Sequence, residues 1–579
     1  MIIPLKKPDL LRITVSIIAA ICASFFIVTL ATAAPALPDS ANIPRIETQP
    51  KLPVITSPAI ETKEDLKYPA ALPETSGIKV NINSIKFSGN KNVSDDQLLL
   101  LLKAYLGQSL GIKELNQMTA LVTNYYRRQG FILAQAYLPE QDINQNALEI
   151  AVVEGYLGEL RIKGIESLDE VFLKKIASHD LASNDAVKES NLVRNIMLIN
   201  SLPGLNATSQ LNPGQEVGYS DVDIEVQTLP RMTGFISANT YGNRFTGREV
   251  VNAGLFLNNL AGRGDRLNLN LKTSNGGGQR GVQIGYVLPV HQTGTILNLS
   301  TGYLDYHLGG QFSSLGAKGE SYYVSALLDQ PLLRSRQGNI TSRLGTSYKD
   351  ITDDVSAFSL KDHRGISAVE LGLFGDWRDI SLNGFNQLGL NIKLADVNFK
   401  NNLAESLDST GAKTAGGFIK YNLLASRLQP LSEEYTLRLS SDFQGANKNL
   451  DSSEKLAIGG INRWREFGEY PISSDRGLIV GAELRRMMLP ISGLARFLPV
   501  LQRVEVSPYG FYDYGKGVIN HNALSSDNHV KSSHYGVGID ALLTKKWMLN
   551  FAVSHQKSQV DGVASENETR AWGQIQAEF

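Results

Sequence analysis

The chain is poor in cysteine. Among 579 residues only Cys22 is present, and it lies inside an uncharged run from Ile13 to Leu30. Outside that run neither a disulfide framework nor a thiolate zinc site is available, so stability has to come from burial and backbone pairing. The eight histidines are scattered with no His-x-x-x-His or comparable spacing, so no metal is expected. No nucleotide-binding loop is present, and no cofactor is expected. Charge of one sign is missing too: 56 Lys and Arg stand against 57 Asp and Glu, which leaves no excess to hold nucleic acid. No second stretch approaches 18 consecutive apolar residues, which excludes a helical membrane protein. A mean hydropathy of -0.13 is compatible with a membrane barrel, because half of each strand faces water.

Catalytic chemistry is also lacking. Gly107-Gln108-Ser109-Leu110-Gly111 has the Gly-x-Ser-x-Gly spacing, but that elbow needs a strand before the serine and a helix directly after it. Here the segment reads as a connection between two helices, so no catalytic residue is assigned and an enzyme is not expected. Arg263-Gly264-Asp265 reads as a tight turn.

What is present falls into three regions. Lys6, Lys7 and Arg12 precede the apolar run, and Ala31-Thr32-Ala33-Ala34 follow it, the pattern of a secretory signal peptide cleaved after Ala33 or Ala34. An uncleaved anchor is the alternative, since the run is about long enough to span a bilayer. Ile21 is too bulky for the residue before a lipidated cysteine. Residues 34–78 are proline-rich, few in aromatics, and read as an extended linker with no long amphipathic segment evident before Val80. From Val80 the pattern is a strand to Phe87, a helix after Ser94, and a second helix from about Lys113 to Arg128 with Leu115, Met118, Leu121, Val122 and Tyr125 on one face. Strands at Phe131–Leu138 and Ala147–Val153 follow. The order recurs as strand Gly158–Lys163, helices Leu168–Ala177 and Lys188–Ser201, and strands Leu205–Leu211 and Tyr219–Val226.

Beyond about Arg231 no convincing amphipathic helix remains. Segments of about ten alternating residues are separated by Gly, Asn, Asp and Ser clusters. Leu267, Leu269 and Leu271 oppose Asn268, Asn270 and Lys272, and some sixteen such segments can be counted. The expected organisation is a signal peptide (1–33), a linker (34–78), two small α+β modules (79–156 and 157–229) and an antiparallel transmembrane β-barrel (230–579) with a long loop at about 446–476. Closure is required because an open edge in hydrocarbon leaves backbone groups unpaired. The last segment alternates from Trp572 to a terminal Phe579, the usual address for the outer-membrane assembly machinery.

The module order, with Ile85-Lys86-Phe87-Ser88-Gly89-Asn90 and Gly130-Phe131, resembles the POTRA domain, a periplasmic module that takes substrate strands on its sheet edge. Asn258-Asn259-Leu260-Ala261-Gly262-Arg263-Gly264-Asp265, and Leu456-Ala457-Ile458-Gly459-Gly460-Ile461-Asn462-Arg463-Trp464-Arg465-Glu466-Phe467 followed by Asp475-Arg476-Gly477 and Glu483, resemble the two-partner secretion transporters of the haemolysin secretion and activation family. That resemblance implies an outer-membrane pore of a Gram-negative bacterium, its modules in the periplasm, which recognises a partner exoprotein and secretes it without ATP. The partners it implies are a secreted polypeptide, outer-membrane lipid and the assembly machinery. An assembly insertase and a passive channel are the alternatives. It also implies that the loop after the eleventh strand folds into the lumen, where Arg465, flanked by Trp464 and Phe467, meets Asp513 on the wall. Gly459, Gly460, Asp475, Gly477 and Glu483 support the motif. Glu466 replaces the family's glycine, which puts the path of the loop tip in doubt.

Overall fold

The computed structural model describes residues 60–62, 79–142, 146–181, 186–216, 218–461, 466–491, 504–522, 528–544, 546–560 and 566–579. The segment expected to be a signal peptide and most of the expected linker lie outside them. Within the linker, Ile60–Thr62 (β1) is a strand.

The first module comprises β2 (Lys79–Ile82), β3 (Ser84–Ser88), α1 (Asp95–Leu102), β4 (Gln108–Gly111), α2 (Ile112–Arg128), β5 (Gln135–Tyr137) and β6 (Ala147–Val153). β3 runs parallel and β5 antiparallel to β6, and β2 pairs with β4. The apolar stripe of α2 turns Leu115, Met118 and Val122 inward, with Tyr126 beside them. Two expectations are corrected. The strand expected from Phe131 is only three residues long, because Phe131 and Ala134 close turns on Tyr126 and Phe131 instead of entering the ladder. The helix connection at Gly107–Gly111 is the short strand β4, with Ser109 exposed within it. Glu154 is fully buried and accepts bonds from the Tyr126 hydroxyl at 3.0 Å and from Asn92 N–H and Nδ2 at 2.7 Å each. That carboxylate ties the turn before α1 to the core. Burial, first, and Glu154, second, push the Tyr126 phenol far above its ordinary value.

The second module has β7 (Tyr156–Lys163), α3 (Glu170–Ala177), α4 (Glu189–Asn200), β8 (Leu205–Pro213) and β9 (Tyr219–Thr228), in the sheet order β1-β8-β9-β7. It seats on the turns of the barrel. Asp169 caps α3 by accepting from Phe172 N–H at 3.0 Å, donates its own N–H to Gly262 O at 2.8 Å and accepts from Arg263 Nε at 2.9 Å. Glu189 pairs with Arg336 at 2.6 Å. The Arg263-Gly264-Asp265 segment is the expected turn: Gly264 has φ +73°, and buried Asp265 accepts from Ala261 N–H and the Tyr286 hydroxyl.

The barrel strands are β10 (Met232–Asn239), β11 (Val250–Asn258), β12 (Arg266–Ser274), β13 (Gln279–Pro289), β14 (Ile296–His307), β15 (Ala317–Arg334), β16 (Gly338–Val355), β17 (Leu360–Asp379), β18 (Gly384–Phe399), β19 (Gly416–Pro430), β20 (Tyr435–Ala446), β23 (Arg476–Arg486), β24 (Leu489–Ile491), β25 (Val504–Val518), β26 (His529–Thr544), β27 (Trp547–Val560) and β28 (Glu566–Glu578), while β21 (Leu456–Ile461) and β22 (Glu466–Ser474) form a separate hairpin. β23 and β24 succeed each other along β25 and make one stave, so the closed antiparallel cylinder has sixteen. β28 returns to β10, where Phe579 N–H and C=O both bond Gly234. Alternation separates the faces as expected. Val537, Tyr535, Leu371 and Leu344 point outward and half or more of each is exposed; Lys272, Asn270, Ser532 and His534 point inward. No described helix is long and apolar enough to cross a membrane, and an apolar skin around a polar interior on a closed sheet is the transmembrane solution. The expectation of ten-residue segments is corrected for several staves: β15, β16 and β17 have 18, 18 and 20 residues, since their ladders continue beyond the apolar band. A helix was also missed, α5 (Asn402–Thr410), capped by Asn401 in the loop after β18.

Candidate functional site

With the modules at one end of the barrel, β10 leads away from them and odd staves run toward the opposite face. β20 is the eleventh, so the chain after it begins on that face and turns back as the β21–β22 hairpin. Glycines on the inner wall admit the hairpin. An added Cβ would lie 2.8 Å from Ile458 at Gly477, 2.8 Å at Gly515 and 2.3 Å at Gly517, distances no real Cβ tolerates. Ile458 is fully buried there with Ile479 and Val530. β21 and β22 pair with a register shift between Ile458 and Gly460, which places an irregularity at Gly459.

Below the hairpin a charged cluster pins the stem. Glu454 is fully buried and bonded to three lysines from three staves: Lys349 of β16 at 2.6 Å, Lys393 of β18 at 3.1 Å and Lys420 of β19 at 2.5 Å. Lys393 also meets Glu370 at 3.2 Å. One turn earlier, Asp451 is held by Arg364 of β17, whose guanidinium also bridges Asp353 and Asp362 at 2.9 and 3.0 Å. At the exit of the hairpin Asp475 is fully buried, 3.3 Å from Lys455, and accepts from the N–H groups of Leu450 and His521 at 3.1 and 2.6 Å. Gln444 donates to the carbonyls of both Glu454 and Asp475 at 3.2 Å. Glu454 and Asp451 of the loop are thus matched to cations of the wall in several charge-assisted bonds, while Asp475 meets Lys455 of the same loop.

On the module side the lumen is open, with a cavity of about 1370 Å³ lined by Arg438, Glu483, Arg485, Asp540 and Asn550 among others. Glu483 accepts from Arg485 Nε at 2.9 Å, and that guanidinium also reaches Asp540 and stacks 4.5 Å from the Tyr509 ring.

The structure places some of the expected site residues and not others. Asp513 is 8% exposed on the inner face of β25, sharing that face with Ser507, Tyr509 and Phe511, and its Oδ1 would be 2.4 Å from a Cβ at the facing Gly481. Trp464 and Arg465 lie outside the described residues. The Phe467 backbone pairs with Gly460 in β22. Trp572 faces the lumen rather than lipid, 2% exposed beside Tyr241 and Tyr509, its indole donating to Ser554 Oγ at 2.9 Å; Phe579 is half-exposed at the seam. Sequence reading missed Glu454, Asp451, Arg364 and the three lysines. Their signal was three lysines and an arginine on lumenal parity opposite a loop that brings Asp451 and Glu454.

Comparisons agree with this architecture. The family model described as haemolysin secretion/activation protein ShlB/FhaC/HecB matches residues 218–540, more than half of the chain, and that of the ShlB-type POTRA domain matches residues 80–155. The heme/hemopexin transporter protein HuxB of Haemophilus influenzae (strain 86-028NP) is 26% identical over 546 residues, covering 93% of this chain and 95% of its own. The solved structure of CdiB from Escherichia coli shares the fold with a TM-score of 0.70 at 20% identity, covering 88% of this chain and 93% of that one. CdiB from Acinetobacter baumannii gives 0.61 at 18% identity, with both chains covered in full. A closed sixteen-stave barrel, a lumenal hairpin and a periplasmic POTRA arm therefore belong together here as an outer-membrane transporter that exports a partner protein, and the chain is a member of the haemolysin secretion/activation (ShlB/FhaC/HecB) family.

Proposed function

We propose that the β21–β22 hairpin is the gate of this transporter and that the Glu454 cluster holds it shut. The observation that carries the reading is a fully buried loop carboxylate bonded to lysines from three separate staves. An unfolded partner pairs through its backbone with the periplasmic arm, where hydrogen bonds supply affinity with little demand on sequence. Displacement of the hairpin joins the cavity on the module side to the exterior, and folding of the partner outside gives the direction without ATP. The protein is a conduit and performs no covalent chemistry. Its apolar skin takes outer-membrane lipid, and Phe579 at the seam is the feature read by the assembly machinery, with Trp572 packed on the inner side of the same strand.

At the tip of the hairpin, Arg465 and Asp513 form a second latch with Trp464 and Phe467 around it. The inward, buried position of Asp513 supports this pairing. Arg465→Ala should reduce the amount of partner in the culture supernatant at least tenfold, while the barrel keeps its heat-modifiable migration in detergent. Undiminished export from that variant removes the tip latch from the mechanism.

A further inference from the structure

On the outer surface of the barrel, at the end away from the modules, the charges above the apolar skin are arranged in two ways. From β13 to β18 cations and carboxylates stand together. Arg280 of β13 bonds Asp305 of β14 at 2.9 Å, and Asp350 of β16 takes both His363 of β17, at 2.8 Å, and Lys400 after β18. From β25 to β27 only cations stand there. Lys516 of β25, Lys531 of β26 and Lys557 of β27 are exposed and share outward parity with Tyr512, Tyr535 and Val553. Among the described residues no carboxylate lies within ion-pair distance of any of the three. Lys516 is directly opposite Lys531 in the ladder, and Lys557 is opposite Ser533, one pleat step from Lys531. Like charges directly opposite each other destabilise a sheet, so this arrangement is costly until an anion joins it.

Register fixes the depth of these lysines. Tyr512, Tyr535 and His555 form one row across the same three staves, with the Tyr535 and His555 rings 5.3 Å apart. The next outward row toward the modules is Gly510, Val537 and Val553, and Ile539 and Phe551 continue the exposed apolar face. An aromatic row above an apolar band marks the boundary between hydrocarbon and headgroups. Lys557 is two residues beyond that row, and Lys516 and Lys531 are four beyond it, roughly 7 and 14 Å along the strands. That is headgroup depth, on the leaflet opposite the periplasmic arm. The flanking staves add no acid: β28 presents Asn567 and Thr569 outward, and β23 presents Arg476 beside Val518.

We propose that Lys516, Lys531 and Lys557 bind the phosphate groups of a phosphorylated glycolipid of the outer leaflet, whose acyl chains lie along Val537, Ile539, Val553 and Phe551. Charge, depth and width select this ligand. The lysines come from three adjacent staves and span about 10 Å, a width that suits a headgroup with more than one phosphate. The apolar strip beneath them is wasted on a free anion and is matched by acyl chains. A bound headgroup neutralises the opposed lysines and ties three staves together from outside. Lys516 lies between Gly515 and Gly517, which receive Ile458 of the hairpin on the inner side, so the ligand steadies the wall on which the hairpin rests.

The test uses the full-length protein in phosphatidylcholine nanodiscs, with and without a minor fraction of lipid A, an acylated glucosamine disaccharide bearing two phosphates. Native mass spectrometry after release into detergent reads the glycolipid retained. A lysine near an anionic surface contributes about fivefold in affinity. Lys516→Gln, Lys531→Gln and Lys557→Gln together should therefore weaken retention on the order of 100-fold, and the corresponding triple change to arginine should preserve it. Arg280→Gln with Lys318→Gln and Lys400→Gln removes three charges from the other side of the rim and should leave retention unchanged. Melting temperatures should cross. In phosphatidylcholine alone the glutamine triple variant should melt above the native protein, because the opposed charges are gone; with lipid A present the native protein should melt above the variant. Lys531→Gln alone should shift both readings in the same directions, which covers a triple variant that fails to assemble. Equal retention by the glutamine variants and the native protein, equal loss in the variant of the other side, or equal retention of lipid A stripped of its phosphates overturns the proposal. Displacement of lipid A by inorganic phosphate at millimolar concentration also overturns it, since the site would then take a simple anion.

Discussion

Glu454→Gln is the most incisive perturbation of the closed state. The substitution keeps the shape of the side chain and removes its charge, so Lys349, Lys393 and Lys420 lose a common counter-ion, although Lys393 retains Glu370. Removing one partner of a buried ion cluster costs roughly 3–5 kcal/mol when the remaining charge is fully enclosed. Lys349 is about one-fifth exposed and the amide still accepts a bond, so a cost of about 2–3 kcal/mol to the closed state is expected. At 1.4 kcal/mol per tenfold, the open fraction should rise roughly 30- to 150-fold. Single-channel recording in planar lipid bilayers reads this directly, as more frequent and longer openings in the variant. Lys393→Met should do less, because two lysines stay on Glu454. The reasoning fails if Glu454→Gln leaves open probability unchanged while the folded barrel is intact, or if Lys393→Met opens the channel more than Glu454→Gln does.

Gly515→Val puts methyl groups where Ile458 already sits 2.8 Å from the Cβ position; an overpacking cost of roughly 1–3 kcal/mol should raise basal conductance, and an unchanged trace would show that the hairpin does not rest on that wall. Glu154→Ala strands the Tyr126 hydroxyl and the Asn92 N–H, each at roughly 1–3 kcal/mol, so the first module should become protease-sensitive at lower urea while the barrel's resistance to heat in detergent is unaltered. The mount of the second module should weaken in acid. The N–H of Phe172, first, and Arg263 hold the Asp169 carboxyl below its ordinary range. A depressed folded value means the stabilisation is whole above the unfolded aspartate value of about 3.9 and is lost as pH falls through the lower folded one. Deuterium exchange at Asp169 N–H should therefore rise only below about pH 4, and Arg263→Gln should move that onset upward.

Much of this architecture follows from period-two alternation, which needs no knowledge of distant contacts. Leu267, Leu269 and Leu271 oppose Asn268, Asn270 and Lys272 because of how a strand is pleated, and the even stave count and the loop after the eleventh stave come from chain order. The gate cluster was beyond that reach. Glu454 meets lysines 105, 61 and 34 residues away, and which of many inward lysines lies at its height depends on the stagger of the staves, a property of the closed barrel and not of any segment. α5 was hidden for another reason: nine residues in a loop, nucleated by the Asn401 cap, are too few to show a convincing helical period beside long strands. β1 was hidden because Ile-Glu-Thr within a proline-rich stretch carries no strand signal until β8 supplies the ladder. The strand at Phe131 failed because its apolar residues find burial in turns against α2, and tertiary packing overrode alternation.

Why should a gate be held by charge rather than by a large apolar plug? An apolar hairpin would lose its burial energy on opening, at about 25 cal/mol per Å² of surface wetted, with no compensation from water. Among the described residues the loop commits two large apolar side chains, Leu450 and Ile458, to deep burial, and Glu454 and Asp451 supply the charged part of its grip on the wall. When the hairpin moves, Glu454 and Asp451 exchange the lysines and the arginine of the wall for water, and the desolvation penalty carried in the closed state is returned. Closing therefore remains specific in register, because each carboxylate has one geometry of cations, yet shallow in net free energy. A shallow, register-specific well is what a gate opened by an arriving polypeptide requires: the client need supply only the difference between two nearly balanced states, within reach of a strand pairing along an arm.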